Sequence, residues 1–192
     1  RVRLSGAEYA DGRLDTDVPH YLTEFRREWQ TPTWQYAFHG RRLSKRIIMP
    51  YGHNSVYVEY RLEAGDPLML RLRPFVTFRR PDDSLSEARQ PPFPVTILGG
   101  RYDVHLCEGV PTLKFCLRPE GGVFVADHKV STQISYRVDR DRGSPHVENL
   151  SSPGNFAVKL EQWHLWPAWN RGRGWSTIRV PFYQPSASAC TS

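Results

Sequence analysis

Residues 55–73 read SVYVEYRLEAGDPLMLRLR, and this stretch decides the fold. Its first half, Ser55 to Leu62, is rich in β-branched and aromatic residues, which favour a pleated, half-buried surface. Gly65-Asp66-Pro67 then turns the chain. Leu68 to Arg73 alternates apolar and basic residues, the two-residue period of a strand with one wet face.

The same pattern extends both ways. Upstream, residues 1–20 are polar, contain Gly6, Gly12 and Pro19, and predict an extended loop. Tyr21 to Arg26 predicts a short strand or one helical turn, and Gln30 to Thr33 a turn. Trp34 to Phe38 alternates with aromatics on one face, His39-Gly40 suits a hairpin bend, and Arg42 to Met49 returns. Pro50 to Asn54 is a second turn. Downstream, Phe75 to Phe78 continues the β signal, and the proline-rich stretch from Arg80 to Pro94 predicts a loop. Val95–Leu98, Tyr102–Cys107, Thr112–Leu117, Gly122–Ala126 and Lys129–Val138 are strand-like, and Phe156–Leu160 adds one more. Gly99-Gly100 and Gly121-Gly122 read as hairpin turns. Glycine and proline punctuate these runs at roughly 8–12-residue spacing, as in sandwiches and barrels. No amphipathic run of helical length occurs. The expected architecture is therefore all-β, an antiparallel β-sandwich with little helix.

Composition narrows the function. The chain has 192 residues, 39% hydrophobic and 24% charged, which is ordinary for a globular domain. No apolar run approaches the ~20 residues of a membrane span, and the N-terminus has no charged-then-apolar signal pattern. A cytoplasmic location, with no membrane partner, is the expectation. The chain opens in mid-pattern without Met, which reads as a piece of something longer. The formal net charge is +6. Only Lys45, Lys114, Lys129 and Lys159 are lysines, so 22 of the 26 basic residues are arginine. These arginines are dispersed and interleaved with acids, whereas a phosphate-tracking stripe is clustered. Nucleic acid is thus not an expected partner. Cys107, Cys116 and Cys190 are odd in number and lack CxxC spacing, so they are not a disulfide framework. The seven histidines show no HxH or HExxH and no zinc spacing with Cys. No GxSxG elbow, P-loop or GxGxxG is present. No metal and no cofactor are expected.

The segment from Tyr136 to Phe156, YRVDRDRGSPHVENLSSPGNF, has no hydrophobic period and predicts an ordered polar loop, the kind of element that carries function. Glu148 is its one carboxylate set among glycines and prolines. Saccharides bind where aromatic rings offer flat apolar faces beside fork-shaped donors and carboxylate acceptors. Trp29, Trp34, Tyr36, Tyr51, Tyr57 and Tyr60 supply rings; Arg73, Arg79, Arg140 and Arg142 supply donors. Each ring also reads as core, and Glu148 also reads as a structural acceptor of hydrogen bonds from loop amides or Arg142. Glycoside cleavage needs two converging carboxyls. Loop acids exist (Asp82, Asp83, Asp139, Asp141, Glu148), but no spacing pairs them.

The connector's pattern, Tyr136-x-x-Asp139-x-x-Arg142-Gly143, then Glu148, then Ser152-Pro153-Gly154-Asn155-Phe156, resembles the end of the N-terminal domain of bacterial and archaeal glycogen debranching enzymes of the amylo-α-1,6-glucosidase type. Other motifs of that family occur in the same order: Tyr21-Leu22-Thr23-Glu24-Phe25, Pro32-Thr33-Trp34-Gln35-Tyr36, Gly52-His53-Asn54-Ser55-Val56-Tyr57-Val58-Glu59-Tyr60, and Leu72-Arg73-Pro74-Phe75-Val76-Thr77-Phe78-Arg79. The succession covers about residues 21–160. Departures from the pattern are Arg80-Pro81 after Arg79, Asp139 where Glu is usual, and Asn149 beside Glu148.

The resemblance implies a supersandwich-like N-terminal β domain over residues 1–162, followed in the family by an (α/α)6 barrel that holds the hydrolytic acids. Residues 163–192 then read as a Trp/Arg/Gly-rich tail, partly disordered or a truncated linker. The implied role is a non-catalytic substrate-binding and scaffold domain for α-1,6-branched α-glucan, with Trp34, Tyr36, Arg79, Tyr136, Arg142 and Glu148 as carbohydrate-binding residues. The implied partners are α-glucan, as glycogen or maltooligosaccharide, and the C-terminal barrel of the same protein. Two alternatives stand beside it: a purely structural module that binds no sugar, and a self-sufficient glycosidase using loop carboxylates.

Overall fold

A computed structural model describes residues 2–53, 55–76, 93–105, 112–118, 122–161 and 176–180. The fold is all-β and sandwich-like. Its strands are β1 (Gly6–Glu8), β2 (Leu14–Thr16), β3 (Leu22–Glu28), β4 (Thr31–Phe38), β5 (Arg41–Ile48), β6 (Val56–Ala64), β7 (Leu68–Leu72) and β8 (Val95–Leu98). They continue with β9 (Arg101–Val104), β10 (Leu113–Arg118), β11 (Val123–Val125), β12 (Lys129–Ser135), β13 (Val147–Ser152), β14 (Asn155–Leu160) and β15 (Ser176–Val180). The helices among the described residues are single turns, α1 (Val18–Tyr21) and α2 (Arg137–Asp141).

The chain divides into two compact units. One comprises residues 22–70, 94–123 and 157–192 and contains an eight-stranded antiparallel sheet of order β3-β4-β5-β6-β15-β10-β9-β8. Register gives this sheet two unlike faces. Tyr36, Leu43 and Leu62 stand opposite one another on β4, β5 and β6, as do Tyr102 and Phe115 on β9 and β10. All five are buried. Residues one position along each strand are mostly polar, among them Gln35, Ser44, Arg61 and Arg101, and line the other face. Burying each such large side chain contributes roughly 1.5–3 kcal/mol, so the apolar face sets the register; a one-residue slip would turn the charges inward. His39-Gly40 and Gly99-Gly100 close two hairpins with both turn residues at positive φ, the twist-matched two-residue turn.

The other unit comprises residues 1–21, 71–93 and 124–156. Here β1 pairs with β2 and β12 with β13, and single bridges join Tyr9 to Ile134 and Val76 to Ser151. Phe93, Ile134 and Phe156 are buried, and the Phe124 and Phe156 rings lie 4.9 Å apart.

The structure differs from the sequence expectations in several places. The turn expected over Gln30–Thr33 is confined to Trp29-Gln30, because Thr31–Thr33 already pair with β3 as the start of β4. Residues 1–20 are not one extended loop: Gly6–Glu8 and Leu14–Thr16 form a hairpin whose two backbones satisfy each other. The run from Lys129 ends as a strand at Ser135, and Arg137–Asp141 turns into α2 instead of continuing to Val138. The segment from Tyr136 to Phe156 is not a polar loop throughout. Its second half is β13 and the start of β14, and Ser151, Ser152, Pro153, Gly154 and Phe156 are buried. Both serines are satisfied there: the Ser152 hydroxyl donates to the Gly154 carbonyl at 2.9 Å, and the Ser151 backbone exchanges hydrogen bonds with Val76. The C-terminal segment also contributes structure. Ser176–Val180 forms β15, which pairs with both β6 and β10.

Candidate functional site

Tyr136 caps α2 in an extended conformation, and its backbone N–H donates to the His146 carbonyl at 2.8 Å. This closes the α2 excursion and brings β13 back beside β12, with Ile134 opposite Glu148. The Tyr136 hydroxyl donates to Glu148 Oε1, and Glu148 is only 7% exposed. Tyr136 and Glu148 are thus brought together. Arg142 sits at the C-cap of α2, exposed, with no ion pair among the described residues. The other connector arginines turn toward β1: Arg137 Nε donates to Glu8 Oε2, and Arg140 lies 4.0 Å from Glu8 Oε1. Asn149 accepts from the Gln133 N–H at 2.9 Å, where Gln133 has φ of 60° in a β-bulge.

Arg73, also a candidate donor, is engaged. It grips Asp127 with both terminal nitrogens at 2.9 and 2.6 Å, and Asn155 adds a bond to the same carboxylate at 3.2 Å. The Arg73 hydrogen bond holds the Asp127 carboxyl below its usual range. Arg79 lies outside the described residues.

Trp34 and Tyr36 are on the apolar face of the eight-stranded sheet. Tyr36 is in the core, 3% exposed, and burial raises its hydroxyl above the ordinary value. Trp34 is half-buried; the Phe25 ring lies 5.2 Å away and the Lys45 ammonium 5.1 Å from its centroid. Burial lowers Lys45 below the usual lysine range and raises the Tyr60 hydroxyl opposite it.

The opposite, polar face holds a pocket that the sequence expectations did not include. Arg26, Thr33, Arg46 and Glu59 stand in one cross-strand row over β3, β4, β5 and β6. Gln35, Ser44 and Arg61 form the next row. With Glu28 and Glu63 these residues line a pocket of about 110 Å³. Its lining has three guanidinium groups and three carboxylates, so its formal charge is zero, and it includes no apolar side chain. The floor is buried: Thr33 is 2% exposed and Ser44 4%. Thr33 Oγ1, Arg46 Nε and Glu59 Oε2 are buried atoms without a hydrogen-bond partner among the described residues. The nearest Arg46–Glu59 approach, 3.9 Å, is an ion pair too long to be a hydrogen bond. A signal for this site does exist in the sequence, as charges at alternate positions in Phe25–Glu28, Ser44–Arg46 and Glu59–Glu63. Their convergence depends on register across four strands, which no single run reveals.

Among the described residues no group of three His, Cys, Asp or Glu side chains is placed to hold a metal ion. No helix among them is long and apolar enough to cross a membrane.

No curated protein matches the chain. The family described as "Glycogen debranching enzyme N terminal" matches residues 1–165. That span takes in the four strands of the polar pocket and the whole Tyr136–Phe156 connector. The chain belongs to the glycogen debranching enzyme N-terminal family.

Proposed function

We propose that this chain is a non-catalytic substrate-binding and scaffold domain that engages α-1,6-branched α-glucan for a glycogen debranching enzyme. The observation that carries the reading is the polar face of the eight-stranded sheet, where guanidinium forks, carboxylates, a carboxamide and hydroxyls converge with zero formal charge. Such a surface suits a neutral ligand made of hydroxyls, each of which donates and accepts. Family membership makes α-glucan the ligand of choice. The domain's partner is then a barrel of the same protein, and its location the cytoplasm. Of the residues singled out in the sequence, the exposed Arg142 is free to reach a glucan chain. Titration of the chain with maltooligosaccharides and glycogen tests the reading. Saturable binding is expected, and no binding to either refutes it.

A second reading, docking without sugar, is favoured by one observation. Trp29 is 95% exposed and Tyr51 103% in the β3–β4 and β5–β6 turns, which the antiparallel order puts at the same end of the sheet. On this reading Trp29→Ala and Tyr51→Ala weaken binding of the barrel domain and leave sugar titrations blank.

A further inference from the structure

We propose that the pocket over Thr33, Arg46 and Glu59 is a subsite for one glucosyl unit, held edge-on through its hydroxyls. The proposal rests on the glucan reading above and specifies where and how the sugar binds.

Three properties of the pocket argue for it. The first is charge. Arginine and glutamate side chains balance around the lining, so neither an anion nor a cation is favoured by the field. The second is the set of unmet hydrogen bonds. Thr33 Oγ1 can donate and accept, Arg46 Nε donates, and Glu59 Oε2 accepts, and all three are buried without a hydrogen-bond partner among the described residues. Buried polar atoms are nearly always satisfied, and leaving them unmet is unfavourable. A sequence that keeps three at one place keeps them for something that completes the bonds. Neighbouring hydroxyls on a pyranose ring do so, because one hydroxyl can donate to a carboxylate and accept from a guanidinium.

The third property is size and shape. At about 110 Å³ the pocket is well below the ~300–1,000 Å³ of a drug-sized ligand site. It admits the edge of one ring and excludes a length of chain. It contains no aromatic ring, so the sugar is gripped by hydroxyls and not stacked. The site is therefore separate from Trp34 and Tyr36, whose strand positions put them on the opposite face.

The experiment uses the 192-residue chain, with glycogen cosedimentation and maltotriose titration as readouts. The variants are Thr33→Val, which keeps the shape and removes the hydroxyl, and Glu59→Gln, which keeps the size and removes the charge. Each is expected to weaken maltotriose binding by about tenfold, the loss of one good hydrogen bond, with unchanged circular dichroism. If the wild type binds and a folded Thr33→Val binds equally well, the pocket holds only water and the subsite is wrong, while the glucan reading survives elsewhere on the domain. If the wild type binds neither probe, both readings fall. Should Glu59→Gln fail to fold, Thr33→Val alone decides.

Discussion

Adding a single methyl at Gly154 tests whether the Ser-Pro-Gly-x-Phe motif is a packing device. Gly154 is buried, and its φ is not in the left-handed region, so any residue's backbone would be accepted there. Space is the constraint. An ideal Cβ would lie 2.4 Å from the Val125 carbonyl oxygen and 2.5 Å from Phe124 Cζ. Phe124 can give a little, but its ring packs tilted against Phe156 with centroids 4.9 Å apart, and a carbonyl in β11 can move only by breaking strand geometry. Overpacking of this kind costs about 1–3 kcal/mol, and contact with backbone puts Gly154→Ala near ~3 kcal/mol. The entropy that alanine removes from the unfolded chain works the other way, by about 0.4–1 kcal/mol. Strain wins, leaving a net loss of about 2 kcal/mol. For a chain of this size that lowers Tm by roughly 4–8 °C. Gly99→Ala is the control: its φ is 53° and nothing lies within 4 Å of the added Cβ, so only the left-handed conformation is penalised, by about 1 kcal/mol. Thermal melts of the two variants read the difference. A Gly154→Ala protein as stable as wild type would refute the packing account of this motif.

Two further outcomes are expected. Thr33→Val removes a buried hydroxyl that has no hydrogen-bond partner among the described residues, so it should stabilise the ligand-free chain by about 1 kcal/mol and raise Tm by roughly 2–4 °C; a melt at lower temperature would show that the hydroxyl is satisfied in solution. Asp127 has its carboxyl held below the usual range by the Arg73 hydrogen bond, so its folded pKa is lower than its unfolded one. Its contribution is present above the ordinary aspartate pKa of ~3.9 and is lost as pH falls through the lower folded value. In Asp127→Asn the decline of Tm below about pH 4 should therefore be shallower than in wild type, and an unchanged slope would remove the pair from the account.

Much of the fold was legible from periodicity alone. The alternation in Leu68–Arg73 and the β-branched run in Ser55–Leu62 become β7 and β6, and His39-Gly40 and Gly99-Gly100 become the turns their glycines announce. Legibility failed where pairing, not local pattern, stabilises the element. Ser176–Val180 is a five-residue strand in a segment dominated by Trp, Arg and Gly, and only its pairing with β6 and β10 shows what it is. Ser151 and Ser152 read as loop because they are polar, yet they are buried on β13 with the Ser152 hydroxyl bonded locally. Side-chain partners in the connector were not legible: Glu148 was expected to accept from loop amides or Arg142, and its acceptor oxygen meets the hydroxyl of Tyr136, twelve residues away. Arg73 instead serves Asp127, and Arg137 and Arg140 serve Glu8, because an arginine in a run of charges finds whichever carboxylate the fold brings nearest. The polar pocket escaped because Thr33, Arg46 and Glu59 belong to three different strands and share only a register row.

The most direct test of the account is a chemical-shift map of the 192-residue chain titrated with maltotriose. The account predicts saturable shifts centred on the backbone amides of Thr33, Gln35, Ser44, Arg46 and Glu59, with the buried apolar face around Leu43 and Phe115 unmoved. Shifts confined to residues outside β3–β6, or none at saturating sugar, would contradict it.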